Sequence, residues 1–206
     1  MQKNKEIRAF SFEVRAERNE EHGNFLEGTP IVFNQTTDLG WYDETIATGA
    51  LDNADLRDVR FLINHNTDMI PLARSRNNNE RSTMQLEVTD DGMNIRVDLD
   101  TENNAEARSL YSAVERGDIS GMSFMFTVTA DAWEDLESDH PKRTITEFDR
   151  IFEVSAVTFP AYEATSISAR GLSDALESAR ASLESAKAEQ RAIEAHKQKI
   201  RIMKGV

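Results

Sequence analysis

Three residues far apart in this chain are placed so that strands could aim them at one another: His65, Ser123 and Glu153. A neutral imidazole accepts a hydroxyl proton near neutral pH and can return it to a leaving amine. A serine beside it then becomes a nucleophile, and a carboxylate on the second ring nitrogen fixes the tautomer and stabilises the imidazolium. His65 closes a run in which Val59, Phe61 and Ile63 recur at alternate positions, and it alone of the four histidines ends an apolar strand. His22 sits among Glu20, Glu21 and Gly23, His140 precedes Pro141 in an acidic loop, and His196 lies on a charged tail. Ser123 interrupts an apolar strand: Met122, Phe124, Phe126 and Val128 share one face, which turns Ser123 to the other face with Met125 and Thr127. Gly121 permits a close approach there. Residues 121–125 read Gly-Met-Ser-Phe-Met, so this is not the Gly-x-Ser-x-Gly elbow. Glu153 stands in Phe152-Glu153-Val154-Ser155, where a carboxylate needs a partner or a wet face. Arg150 or Arg143 would serve it as well as His65, and Asp149 is a competing acid. Taken singly, each of the three is more commonly structural than catalytic.

Other chemistries are excluded more firmly. The chain has no cysteine, which removes disulfides, thiolate nucleophiles and Cys-based zinc sites. No His-x-His or His-Glu-x-x-His pair exists, and His65 with Asp68 is too loose a pair to specify an ion, so neither metal nor cofactor is expected. No lysine lies between Lys5 and Lys142, and Lys142 falls in an expected loop, so a serine–lysine dyad lacks a buried amine. Net charge is −13, from 24 basic and 37 acidic residues, which argues against nucleic acid as a direct partner. No apolar run approaches a membrane span and residues 1–20 are charged throughout, so the reading is of a soluble, cytoplasmic chain with no membrane partner.

The elements that must position these residues are mostly strands. Phe10, Phe12 and Val14 alternate, then a polar stretch from Arg15 to Asn24 leads to Phe25–Phe33, where Gly28 and Pro30 mark a bulge or an edge. Residues 34–42 read as a loop. Met84, Leu86 and Val88, a turn at Thr89-Asp90-Asp91-Gly92, and Met93, Ile95, Val97 and Leu99 spell a hairpin. Ala107, Leu110, Tyr111 and Val114 predict a helix that ends before Gly117. Strand character resumes at residues 122–128, an acidic loop covers 131–141, and a last β region runs from Arg143 to Phe159. From Leu172 the composition changes: Leu172, Leu176, Ala179, Leu183, Ala186, Gln190, Ile193, Lys197 and Ile200 follow heptad-like spacing, weakened by Gln190 and Lys197. The expectation is an α+β fold: a twisted, mainly antiparallel, β-barrel-like core over residues 1–171, a few surrounding helices, and a helical tail over 172–206. That tail packs on a partner or on its own domain.

Three segments in order carry a resemblance. Residues 28–50, with Gly-Thr-Pro-Ile-Val-Phe-Asn, Asp38-Leu39-Gly40 and Glu44-Thr45-Ile46-Ala47-Thr48-Gly49-Ala50, come first. Asn64-His65-Asn66 follows, and then Gly121–Phe126 with Glu153-Val154-Ser155-Ala156-Val157-Thr158-Phe159-Pro160-Ala161-Tyr162. Over roughly residues 7–170 the chain resembles the phage prohead (capsid maturation) proteases, serine peptidases similar to the herpesvirus assembly proteases. The resemblance implies His65 as general base, Ser123 as nucleophile and Glu153 as third member, with Asp149 and His140 as alternatives for that last place. It also implies a serine endopeptidase inside the immature capsid in the host cytoplasm, which removes the scaffolding segment of the major capsid protein and cleaves itself. On this reading the tail binds scaffold, or is trimmed, and self-association is left open. The alternative is a non-enzymatic scaffold or assembly protein that keeps the same domain.

Overall fold

Alternation turns into pairing wherever one face of a strand finds apolar cover. A computed structural model describes residues 5–10, 14–19, 23–158 and 170–204; Phe12, His22 and the motif residues 159–162 lie outside them. The elements are β1 (Glu6–Phe10), β2 (Val14–Asn19), β3 (Gly23–Val32), β4 (Thr37–Asp38), β5 (Asp43–Ile46), β6 (Asp58–Ile63), β7 (Ala73–Arg76), β8 (Met84–Thr89), β9 (Gly92–Asp98), α1 (Ala105–Glu115), β10 (Gly121–Glu134), β11 (Lys142–Val157) and α2 (Arg170–Lys204).

Two sheets form. One has the order β2-β3-β9-β8, all antiparallel. Its predicted hairpin closes at Gly92, where a Cβ would stand 2.0 Å from the Ile31 carbonyl oxygen, so only glycine lets β9 pass this close to β3. The register of β3 slips between Gly28 and Ile31, the bulge announced by Gly28 and Pro30. The other sheet runs β1-β10-β11-β5-β4, with β6 and β7 joined through β11. In it β11 pairs antiparallel with β10 but parallel with both β5 and β6.

The fold is therefore α+β, with strands predominating and two helices among the described residues. Strand pairing describes two open sheets, so the expected barrel closure finds no support. Three other expectations need correction. In the polar stretch from Arg15 to Asn24, residues 15–19 belong to strand β2 and residues 23–24 to β3, and residues 131–134, read as loop, continue β10. Residues 34–42 contain the short β4, which pairs with β5.

The core fills from both sheets and α1: Leu26, Ile31, Phe61, Met84, Met93, Leu110, Phe124, Phe126 and Phe148 are buried in one cluster. Phe126 and Phe148 meet edge to face at 5.1 Å. Asn104 caps α1 by accepting the amides of Glu106 and Ala107, and Gly117, at φ 78, follows its last turn. Helix α2 places Ala179 and Leu183 against Leu39 and Tyr42, with Trp133 and Leu136 beside them, while its side chains from 191 to 200 are exposed. No helix of the described residues is long and apolar enough to cross a membrane.

Candidate active site

The β6 strand ends in a turn that lifts His65 off the sheet. Asn64 and His65 have φ of 49° and 55°, two consecutive left-handed residues, each costing about 1 kcal/mol or more. Strain of that kind persists only where neighbours over-determine it, and β11 does so here. Asn64 N–H donates to the Ala156 carbonyl at 3.0 Å, and Thr158 N–H donates to Asn64 Oδ1 at 3.0 Å. The His65 N–H donates to Ser155 Oγ at 3.1 Å.

The imidazole meets Glu153, whose Oε1 lies 2.6 Å from His65 Nδ1; both side chains are nearly excluded from solvent, at 4% and 3% exposure. The other carboxylate oxygen accepts the Ser155 hydroxyl at 2.5 Å. Ser155 thus bridges the carboxylate and the backbone of the histidine. A carboxylate only accepts, so Nδ1 is the donor of this pair, and in the neutral imidazole that leaves Nε2 as the acceptor. Nε2 is buried and has no hydrogen-bond partner among the described residues. An orphaned buried nitrogen costs stability, so a functional account is called for.

Ser123 stands directly opposite Ser155 on β10, two residues along from the Met125–Glu153 pair, so alternation puts Ser123, Ser155 and Glu153 on one face of the sheet. It is fully buried, and its hydroxyl donates to the Arg8 carbonyl of β1 at 2.8 Å. His65 and Glu153 are brought together by hydrogen bonding. Ser123 shares their face but is bonded to β1, not to the imidazole. An apolar groove of about 560 Å³ opens beside the histidine turn, lined by Ile63, Met69, Leu110, Ala113 and Ile119 with Asn64 and Asn66 at its rim.

The alternative acids lie elsewhere. Asp149 Oδ2 accepts the Thr127 hydroxyl at 2.9 Å. His140, exposed, has Nε2 3.0 Å from Asp43 and 3.7 Å from Asp38, and the three form a cluster at the surface. Arg143 and Arg150, offered as partners of Glu153, are engaged with other acids.

A second buried polar network, not expected from the sequence, anchors β1. Arg8 donates to Glu44 through Nε (2.6 Å) and Nη2 (2.9 Å), and to Glu6 and the Tyr42 hydroxyl through Nη2. Arg143 donates to Glu6 and Glu44 through Nη1, and to Asp131 through Nε at 2.7 Å. Burial opposes the charge on Glu6, but the Arg143 hydrogen bond and the charges of Arg8 and Arg143 outweigh it and hold the carboxyl down at about 2. Burial, with Glu44 nearby, pushes the Tyr42 phenol up to about 12, although Arg8 and Arg143 pull the other way. Burial disfavours the cations too, yet the carboxylates around them, Glu44 foremost, raise both Arg8 and Arg143. The alternation of Glu6 and Arg8 along one strand was the signal available in the sequence, and charges at alternate strand positions more often face water.

Two comparisons bear on this arrangement. The family model described as Caudovirus prohead serine protease matches residues 10–178. The chain is 29% identical over 158 residues to the Prohead protease of Enterobacteria phage HK97, which covers 75% of this chain and 64% of that protein. It therefore spans a little under two thirds of that relative's length. No solved structure matches the chain.

Proposed function

Because the chain belongs to the caudovirus prohead serine protease family, we propose that it is a serine endopeptidase with Ser123 as nucleophile, His65 as general base and Glu153 as the group that orients the imidazole. One observation carries the residue assignment: His65 offers Glu153 one nitrogen at 2.6 Å and keeps the other buried and unpartnered. In the reaction Nε2 takes the Ser123 proton as Oγ attacks the scissile carbonyl. The acyl-enzyme forms when the same proton passes to the leaving amine, and water then resolves it. Glu153 stabilises the imidazolium in both steps, and Ser155 holds Glu153 in place through its second oxygen.

The family and the phage relative support a role in capsid maturation. The substrate is then the scaffolding segment of the major capsid protein, met inside the immature capsid in the host cytoplasm, with self-cleavage alongside. The tail from 172 to 206 is the segment that engages scaffold or is trimmed. Residues 191–204 carry five basic side chains against one acidic, in a chain of net charge −13, which suits an acidic partner.

Coexpression of Ser123→Ala with the capsid protein tests the assignment. A folded variant should leave the capsid protein and its own termini intact by mass spectrometry, where the parent processes them; processed termini in the variant remove Ser123 from the mechanism. Full burial of Ser123 favours one rival, a non-enzymatic assembly protein. Covalent labelling of Ser123 by a fluorophosphonate decides against that rival.

A further inference from the structure

We propose that β1, clamped by α2, keeps this protease latent by holding the Ser123 hydroxyl on the Arg8 carbonyl, and that loosening α2 releases it. This rests on the assignment of Ser123 and His65 given above.

A hydroxyl has one proton to donate. In the structure that proton goes to Arg8 at 2.8 Å, while His65 Nε2, the atom that would take it in catalysis, is buried without a partner. Donation to both at once is impossible, so the structure is a resting arrangement. Ser123 is also fully buried, and no peptide reaches a buried oxygen until something moves.

The topology shows which element that is. β1 is an edge strand, paired with β10 on one side, with Ala9 opposite Ser123. An edge strand ordinarily leaves its outer amides to solvent. Here α2 takes one of them up: the Ile7 N–H donates to Ser178 Oγ at 3.1 Å, and Arg8 Nη1 reaches the same oxygen at 3.3 Å. One turn on, the Ser182 hydroxyl donates to Glu6 Oε2 at 2.7 Å. Two serines on one helix face therefore pin the strand whose carbonyl occupies the nucleophile.

Strand and clamp are not held equally. Arg8 and Glu6 fix β1 through the buried cluster with Glu44, Arg143 and Tyr42. By contrast, α2 adheres through a few small or apolar residues, chiefly Ala179 and Leu183, and its side chains from 191 to 200 are exposed. A force or a partner acting on that exposed end has a lever on β1. The family match runs from residue 10 to residue 178, so it takes in Ser178 but not residues 6–9 of β1 or Ser182.

The test uses the full chain with both clamp serines replaced, Ser178→Ala with Ser182→Ala. Fluorophosphonate labelling of Ser123 should run about tenfold faster than in the parent, the effect of two lost hydrogen bonds on the open population. Amide exchange at residues 6–8 should quicken while β10 and β11 keep their protection. Should the double variant not fold, Ser178→Ala alone should show the same two changes more weakly. Labelling at the parental rate, with exchange of β1 unchanged or even with it raised, overturns the clamp yet leaves Ser123 a reactive serine. No labelling of any form overturns both the clamp and the protease assignment.

Discussion

The molecule holds two buried polar networks, one around Arg8 and Arg143 and one around His65, and they are finished to different degrees. Around Arg8 and Arg143 the charges alternate and the guanidinium groups are each shared among several oxygens. Around His65 the chain of bonds runs from the imidazole through Glu153 to Ser155 and back to the His65 amide, and then stops at Nε2. A saturated network resists change, because losing any member strands a charge away from water. An open one keeps a site for an incoming proton. On the proposed assignment this difference separates structure from chemistry more clearly than burial does, since the central side chains of both networks are buried.

The largest effect should come from the open network. Glu153→Gln keeps the shape and removes the charge, and it should lower turnover about a thousandfold or more while the melting temperature shifts little. Peptide hydrolysis beside a thermal melt checks it; a large loss of stability with intact turnover would reverse the roles of the two networks. Next comes Arg143→Met, which leaves Glu6 and Glu44 sharing only Arg8. Removing one partner of a buried ion pair costs about 3–5 kcal/mol, readable in urea unfolding. Variants that still fold should retain the His65–Glu153 pair.

Glu6 sharpens the comparison through pH. Its carboxyl is held at about 2, below the ordinary 4.5, so it stabilises the fold fully above 4.5 and loses that contribution as pH falls from there through about 2. Arg8 and Arg143 face it throughout this window as cations, with Ser182 donating from α2 and Glu44 across the cluster. A shift of this size corresponds to about 3 kcal/mol. Glu6→Gln should thus be less stable than its parent by about that amount at pH 7, with the gap closing toward pH 2. Paired urea titrations at several pH values check it, and a gap independent of pH would mean that packing, not charge, is what Glu6 supplies.

Sequence patterns reached the open network and missed the saturated one for a physical reason. His65 and Glu153 each interrupt an apolar alternation, and an interruption is visible along one strand; Ser123 does so too, but it is bonded to Arg8 and not to that network. The hairpin at Gly92, helix α1 and the bulge at Gly28 were legible in the same way, as local signals. Arg8, Glu44 and Arg143 look like ordinary strand surface in sequence, and only the pairing of β1 with β10 and of β5 with β11 turns them inward together. β2 was hidden because its residues beyond Val14 are mostly polar and exposed. Barrel closure was an expectation about pairing between distant strands, which no local pattern encodes. Ser155 was in view throughout; its place two residues after Glu153, on the same face, was the overlooked cue.

The smallest effect tests whether Glu153 is the third member at all. His140 was one of two other candidates, with Asp149, and in the structure it is an exposed imidazole beside Asp43 and Asp38. Its removal should change stability by within about 0.5 kcal/mol, because exposed ion pairs contribute little against solvent and salt. Turnover of His140→Ala should equal that of the parent. A null result here has force only beside the large loss expected for Glu153→Gln, since together they place the imidazolium's partner on β11. If His140→Ala lost activity while Glu153→Gln kept it, the loop before Pro141 would have to fold inward during catalysis. The 2.6 Å contact between His65 and Glu153 would then be a resting pair that breaks before the chemistry begins.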